Sequence, residues 1–397
     1  MKKIFTALIS VSNKTNLKYV LKILKKYNIK LISSGGTYKE IKKLNFKCFE
    51  VSEFTDFKEI LNGRVKTLHP KIYAGILNKR NNKKHIKEIK KLNFENIDLI
   101  ISNFYPFEKT LKETNKHEKI IENIDIGGPS MVRAAAKNYN YVNVITSPDQ
   151  YIDLVNELKK NNGKTSLRFR QQMSQEAFLQ TAFYDSTISN YFNKIMKSDF
   201  PKKKIIYGNL IEKLRYGENS HQKSAIYSNN NNLEISQLNG KKLSYNNYND
   251  IFSAIKLSES FPDKRGTVII KHANPCGVSV IKDNLKSFNT ALACDPISAF
   301  GGIVLCNFKI NKKIAIDINK IFFEVIIAKG FEISALKILK AKKNLRLIDI
   351  SMLKENSSWK FHSLNNSFLI QSEDKKKFLK KDFKIVSKKK PNKSQFD

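Results

Sequence analysis

Short aliphatic runs that stop at polar or glycine-containing turns and pass into helical periodicity constrain the fold of this chain more than any other feature. Residues 5–11 form such a run, Ser12 and Asn13 follow as cap candidates, and Leu17, Val20, Leu21 and Leu24 recur at helical spacing. The unit repeats at Leu31-Ile32-Ser33, which leads through Ser34-Gly35-Gly36-Thr37 into a helical stretch ending near Leu44. Strand-like runs at 97–101 and 142–145 end at polar or proline-containing turns, and a long helical segment covers 168–192. Such alternation predicts a parallel sheet covered on both faces. Runs at 267–270 and 302–305, beside glycine- or proline-containing loops, predict a second α/β domain. A chain of 397 residues exceeds the roughly 250 to 300 that one core supports. The segment 197–204, with Pro201 and four lysines, is the linker candidate, so the expected domains are 1–198 and 199–397. The lysine clusters of 374–393 predict a basic, partly disordered tail.

No apolar run reaches the roughly 18 residues of a membrane span, and Met1-Lys2-Lys3-Ile4-Phe5 lacks a signal-peptide core. Cys48, Cys276, Cys294 and Cys306 show no C-x-x-C pair. A soluble, cytoplasmic protein with free thiols is expected. The net charge of +36 would suit a nucleic-acid binder, yet only 8 of the 72 basic residues are Arg and the lysines are scattered. No specific nucleic-acid partner and no membrane partner is expected.

Ser10-Val11-Ser12-Asn13-Lys14 and Ser33-Ser34-Gly35-Gly36-Thr37 both fall where a strand hands over to a helix, so backbone N–H groups and the helix dipole can face an anion. On these residues alone, Gly35-Gly36 as a simple turn and Ser12 as a simple cap remain open. Gly163-Lys164-Thr165 is not a Walker A motif, because Leu158 stands where its first glycine belongs, and no G-x-G-x-x-G occurs.

Four further segments follow in order: Gly63-Arg64-Val65-Lys66-Thr67-Leu68-His69-Pro70, Asn103-Phe104-Tyr105-Pro106-Phe107, Glu122-Asn123-Ile124-Asp125-Ile126-Gly127-Gly128 and Met131-Val132-Arg133-Ala134-Ala135-Ala136-Lys137-Asn138. Together they resemble the cyclohydrolase half of the bifunctional purine-biosynthesis family that joins an IMP cyclohydrolase to an AICAR transformylase. The resemblance implies a methylglyoxal-synthase-like parallel-sheet domain that closes formamido-imidazole-carboxamide ribonucleotide (FAICAR) to IMP with loss of water. It implies that Ser12, Lys14, Ser34, Gly36, Thr37, Arg64 and Thr67 hold phosphate and ribose, and that Lys66, Tyr105, Asp125 and Lys137 surround the reacting base. The reaction is intramolecular, so holding the reactive rotamer supplies much of the acceleration. Lys66 would stabilise oxygen charge, aided by Tyr105 or Lys137, and Asp125 would accept the amide proton. Asp125 capping a helix that begins near Pro129 is the alternative.

The second half carries Leu214-Arg215-Tyr216-Gly217-Glu218-Asn219-Ser220-His221-Gln222, Lys242-Leu243-Ser244-Tyr245-Asn246-Asn247, Lys271-His272-Ala273-Asn274-Pro275-Cys276-Gly277, Asp295-Pro296-Ile297-Ser298-Ala299-Phe300-Gly301-Gly302 and Glu324-Val325-Ile326-Ile327-Ala328. These resemble the transformylase half, which implies a deaminase-like α/β/α fold. In it the AICAR amine attacks the formyl carbon of the co-substrate 10-formyltetrahydrofolate. His272 would move the proton, Lys271 would orient or polarise, and Arg215, Tyr216, Asn247, Phe300 and Glu324 would line the AICAR pocket. A likeness to zinc deaminases fails in detail: Asn274 replaces the needed Glu, Ser279 replaces the second Cys, and His272 is too near Cys276. No metal is expected.

In the family, a segment like Val386-Ser387-Lys388-Lys389-Lys390-Pro391 precedes more than about a hundred further residues, whereas this sequence ends at Asp397. It also carries Asn365-Asn366 where a glycine pair is usual and Lys329 where proline is usual. The expected transformylase domain is therefore incomplete and its activity in doubt. The family's habit of sharing sites across subunits implies a homodimer. Retention of Lys66, Tyr105, Asp125 and Lys137 disfavours the rival reading, a phosphorylated-metabolite-binding module without catalysis, because phosphate binding needs none of them.

Overall fold

The computed structural model describes residues 1–229, 232–261, 265–354, 359–374, 376 and 382–393. Two compact units emerge, Met1–Tyr207 and Gly208–Asp397. The division falls beyond the lysine-rich stretch 197–204, because Tyr207 packs edge-on against Phe183 of the long helix, ring centroids 5.0 Å apart. Part of the tail expected to be disordered lies outside the described residues.

The first unit is built on five parallel strands in the order Phe49–Glu50, Lys30–Ser33, Thr6–Val11, Leu99–Asn103, Asn143–Ile145. In the central two strands successive residues, Ala7-Leu8-Ile9 and Leu99-Ile100-Ile101, are all buried, the pattern of a sheet covered on both faces. Helix Leu17–Lys26 packs with Tyr151–Lys160, and Gly127–Lys137 packs with the long helix Leu167–Ile195. Strand order reverses between Thr6–Val11 and Leu99–Asn103. In open parallel sheets the crevice beyond the carboxyl ends at such a reversal is where ligands bind.

At the other edge a buried ion pair closes the sheet. Arg80 Nη1 pairs with Asp98 and reaches Tyr141 O at 3.1 Å, while Nη2 donates to Ile97 O at 2.8 Å. Asp98 Oδ2 accepts the N–H groups of Phe5 (2.8 Å) and Thr6 (3.0 Å). These bonds explain why the strand expected at 97–101 lies instead at Leu99–Asn103.

The second unit holds a six-stranded mixed sheet in the order Ser236–Asn239, Arg346–Asp349, Val325–Ala328, Ile303–Cys306, Thr267–Lys271, Asn274–Ser279. Its middle three strands, Arg346–Asp349, Val325–Ala328 and Ile303–Cys306, are mutually parallel, and the outer pairings are antiparallel. Along each central strand residues alternate between two cores. Ile269, Val304, Cys306 and Ile326 join Phe288, Ile314 and Leu339 of helices Asn284–Cys294, Lys312–Asn319 and Ile333–Lys340. Val268, Ile270, Leu305 and Ile327 join Ile251 and Ala254 of helix Tyr245–Glu259. Both units are thus α/β. Among the described residues no helix is long and apolar enough to cross a membrane.

Replacing Arg80 by Met should leave the Asp98 carboxylate buried without its counter-ion and cost about 3 to 5 kcal/mol. The urea midpoint of the first unit reads this. Arg80→Lys should recover only part of the loss, because a point charge cannot make the three fork contacts. An unchanged midpoint in Arg80→Met would show that the pair is dispensable.

Candidate active sites

Three loops meet at the carboxyl edge of the first sheet. The loop after Thr6–Val11 is bound to the end of Leu99–Asn103 by one amide: Asn103 Oδ1 accepts Asn13 N–H at 2.8 Å, and Asn103 Nδ2 donates to Asn13 O at 3.0 Å. Ser12 Oγ lies 2.5 Å from Phe104 O and 3.0 Å from Asn103 Oδ1. Neither Ser12 nor Asn13 caps the following helix, whose N-cap is Asn16. Thr37 fastens the third loop, its buried hydroxyl accepting Val11 N–H and donating to Val11 O, both at 3.0 Å. With its only proton so used, the Thr37 side chain is a brace, and its donor toward an anion is the backbone N–H.

Helix Gly35–Lys43 begins here with Ser34 as an N-cap that makes no side-chain capping bond and with no acidic residue in the first turn. Its unsatisfied N–H groups and dipole face two ammonium groups. A Cβ placed on Gly36 would lie 3.9 Å from Lys14 Nζ, and one on Gly35 or on Gly63 would lie 3.3 Å from Lys66 Nζ. Positive charge without a built-in counter-charge at a helix start makes an anion cradle. The cations carry only exposed partners: Lys66 pairs with Glu59 at 3.8 Å and Arg64 with Glu122 at 3.5 Å.

The cradle continues into a second helix start. Thr67 is buried so closely on Gly127 that a Cβ there would lie 2.8 Å from the Thr67 hydroxyl oxygen. Asp125 Oδ1 accepts Gly128 N–H at 2.9 Å from just outside that helix, whose N-cap is Ile126 and whose first residue is Gly127. Burial pushes its carboxyl up, and the amides of Gly128 and Tyr105 pull it partly back. Tyr105, half-exposed, has its hydroxyl raised by burial and by the Asp125 and Glu122 carboxylates. Tyr184, from the long helix, accepts Asp125 N–H at 2.8 Å, and burial pushes its hydroxyl up to about 12.

Ser12, Lys14, Ser34, Gly36, Thr37, Arg64, Lys66, Thr67, Tyr105 and Asp125 thus form one chain of contacts. Lys137 does not join it. It closes the helix that Gly127 opens, roughly 15 Å away along an eleven-residue axis, at the edge where Asn143 N–H meets Asp98 O. Asn103 opens the segment 103–107 with no role of its own in the sequence pattern, and Glu59 and Tyr184 lie outside every motif segment, yet all three touch residues of the site. Only Asn103 had a local signal, as a polar residue ending a strand where the order reverses.

The second constellation lies at the amino ends of the parallel strands. Strands Thr267–Lys271 and Asn274–Ser279 are antiparallel, with Lys271 opposite Asn274, so His272 and Ala273 form a two-residue turn. Both have positive φ, 55° and 60°. Lys271 Nζ donates to Phe300 O at 2.9 Å. Asn247 is buried, holds Ser244 N–H with its oxygen (3.1 Å) and gives its amide N–H to Glu324 at 3.0 Å. Its side chain therefore orients Glu324, which also faces Arg346 at 3.9 Å. Arg215 stacks over Tyr216 at 5.7 Å in a loop tied to the same helix by Asn246 Nδ2 donating to Glu218 O at 3.3 Å. Among the described residues no cluster of His, Cys, Asp and Glu could hold a metal ion.

Comparison with known proteins covers the chain nearly end to end. The family model for the AICARFT/IMPCHase bienzyme matches residues 135–397, and that for the MGS-like domain matches 16–130. The bifunctional purine biosynthesis protein PurH of Elusimicrobium minutum is 41% identical over 99% of this chain and 76% of its own length. The protein of the same name from Bradyrhizobium diazoefficiens is 42% identical over 98% of this chain and 75% of its own. A solved structure titled "Crystal structure of ForH" aligns with 48% of this chain and 99% of its own at 26% identity, with a TM-score of 0.43.

Asn103→Ala should release both lips of the crevice together. IMP binding, read by calorimetry, is expected to weaken by about tenfold or more, since two hydrogen bonds joining the lips are lost at once. Unchanged IMP affinity would separate the Asn103 amide from the cradle.

Proposed function

The chain belongs to the AICARFT/IMPCHase bienzyme family of purine biosynthesis, and from that premise we propose that its first unit closes FAICAR to IMP. The observation that carries this reading is the pairing of an uncapped helix start under Lys14 and Lys66 with a desolvated carboxylate, Asp125, across the short loop 64–67. The phosphate of FAICAR sits on the N–H groups at Ser34, Gly36 and Thr37 with Lys14, and Arg64 and Thr67 hold the ribose end. Displacing the exposed Glu59 and Glu122 costs little, because such pairs are weak. The carboxamide nitrogen attacks the formyl carbon, its proton passes to Asp125, and Lys66 neutralises the oxygen charge on the tetrahedral carbon, with Tyr105 beside it. That oxygen then leaves as water, taking one proton back from Asp125 and one from the formamide nitrogen, the C–O bond breaking as the ring C=N forms, and IMP results. Orientation supplies the larger part of the acceleration.

The second unit carries the transformylase half. His272 takes the proton from the AICAR amine as it attacks the formyl carbon of 10-formyltetrahydrofolate, Lys271 polarises that carbonyl, and the bond from the formyl carbon to the folate N10 then breaks as that nitrogen takes the proton back and leaves as tetrahydrofolate. Glu324, set by Asn247, and Arg215, Tyr216 and Phe300 hold the nucleotide. The protein works in the cytoplasm as a homodimer on nucleotide substrates, with no nucleic-acid partner and no metal.

Purified chain mixed with FAICAR should form IMP, followed by ultraviolet absorbance, without folate. Folded chain that forms none rejects the reading. Lys66→Ala should lower kcat by about 10² to 10³ fold with a smaller effect on KM. The acidic limb gives a second check. Asp125 must be ionised to accept a proton, and burial raises its carboxyl above 3.8, so kcat/KM should fall on acidification while ordinary carboxylates are still charged. Asp125→Asn should abolish that limb together with most of the rate. A limb that survives the substitution assigns the base elsewhere.

A further inference from the structure

Two-residue hairpin turns with both φ values positive favour Asn and Gly, because side chains with a Cβ crowd the backbone there. The turn at His272 (φ 55°) and Ala273 (φ 60°) has neither residue type. Something outside the hairpin must hold it. Asp250, in the second turn of helix Tyr245–Glu259, supplies the hold: its Oδ1 accepts Ala273 N–H at 2.7 Å. Burial raises the Asp250 carboxyl while the Ala273 amide and the His272 ring pull it down. Within the turn, Asn274 Nδ2 adds a bond to His272 O at 2.9 Å.

The placement of Asp250 links this turn to the nucleotide pocket. Asn247 lies three residues earlier, on the same helix face, and it orients Glu324. One helical turn therefore sets both the pocket carboxylate and the backbone from which Lys271 and His272 project. Lys271 Nζ reaches Phe300 O from that backbone.

We propose that Asp250 is a positioning residue for formyl transfer, clamping the Lys271-His272-Ala273 turn in its left-handed conformation so that the ammonium and imidazole stand in register with the nucleotide held by Glu324. This rests on the transformylase reading of the second unit. Asp250 touches no substrate, so its loss acts through turnover and not through binding.

The test compares Asp250→Ala, Asp250→Asn and the double variant Asp250→Ala with Ala273→Gly, in the full chain. Asp250→Ala should lower kcat for formyl transfer by about 100-fold, the scale of a small misplacement of reacting groups, while the KM for AICAR stays within about threefold of wild type. Asp250→Asn, which keeps an oxygen acceptor for the Ala273 amide, should lose about tenfold. Glycine adopts positive φ freely, so Ala273→Gly should return at least about tenfold of the lost kcat to the Asp250→Ala chain. Amide exchange at Ala273, measured by NMR, reads the clamp without turnover and should quicken in Asp250→Ala. Unchanged exchange there overturns the clamp. Wild-type kcat in a folded Asp250→Ala chain, a loss confined to KM, or failure of Ala273→Gly to restore turnover overturns the positioning role. Absence of formyl transfer from wild type, with exchange quickened as expected, would instead sink the transformylase reading and the role resting on it.

Discussion

A single side-chain amide, that of Asn103, makes the first site possible. A parallel sheet whose strand order reverses leaves a crevice between two loops, here 10–14 and 103–105, that are neighbours in space and about ninety residues apart in sequence. Nothing in the strand ladder fixes those loops once the strands end. Asn103 does so by presenting acceptor and donor to the backbone of Asn13 at once, as a neighbouring strand would. Thr37 repeats the device with Val11. The helix start at Gly35 is then held against the crevice with its own N–H groups unspent, and polar residues read as ligands become the stitching that keeps the ligands in place.

Charge near the cradle is local and unlike the chain's average. The protein carries +36, yet Lys66 and Arg64 each face a glutamate, Glu59 and Glu122. Exposed pairs of this kind contribute little stability. Their consequence is positional: they hold two flexible cations near the crevice without filling the helix start, whose first turn carries no acidic residue. A phosphate dianion gains the N–H groups as well as the cations, so it outcompetes a carboxylate that can reach only the cations.

Much of this was legible in the sequence because strand-to-helix handovers are local patterns. The runs ending at Val11 and Ser33 fall where the sheet has them, and the cassettes at Arg64, Tyr105 and Asp125 converge. Lys137 shows one thing that pattern hides: it belongs to the same helix as the helix start, yet the rise of that helix sets it roughly 15 Å along the axis. Ser12 shows another, since a residue of capping type before a helix was spent on Phe104 O while Asn16, in left-handed conformation, took the N-cap. Tyr184 and Asp250 left no local trace, because each acts from a helix distant in sequence on the backbone of a site residue.

The two units use one architecture at opposite ends, and helix dipoles explain the difference in chemistry. At the carboxyl edge of the first sheet, helices Leu17–Lys26, Gly35–Lys43 and Gly127–Lys137 begin, so partial positive charge gathers and an anion is welcome. At the amino edge of the parallel strands in the second, helices Asn284–Cys294, Lys312–Asn319 and Ile333–Lys340 end before the strands that follow them. Partial negative charge gathers there and favours cationic side chains, among them Lys271 and Arg346. Helix Tyr245–Glu259 begins at this same edge, with Asn247 of its first turn on Glu324, so an anionic group there meets a helix start as well as the side-chain cations Arg215 and Arg346.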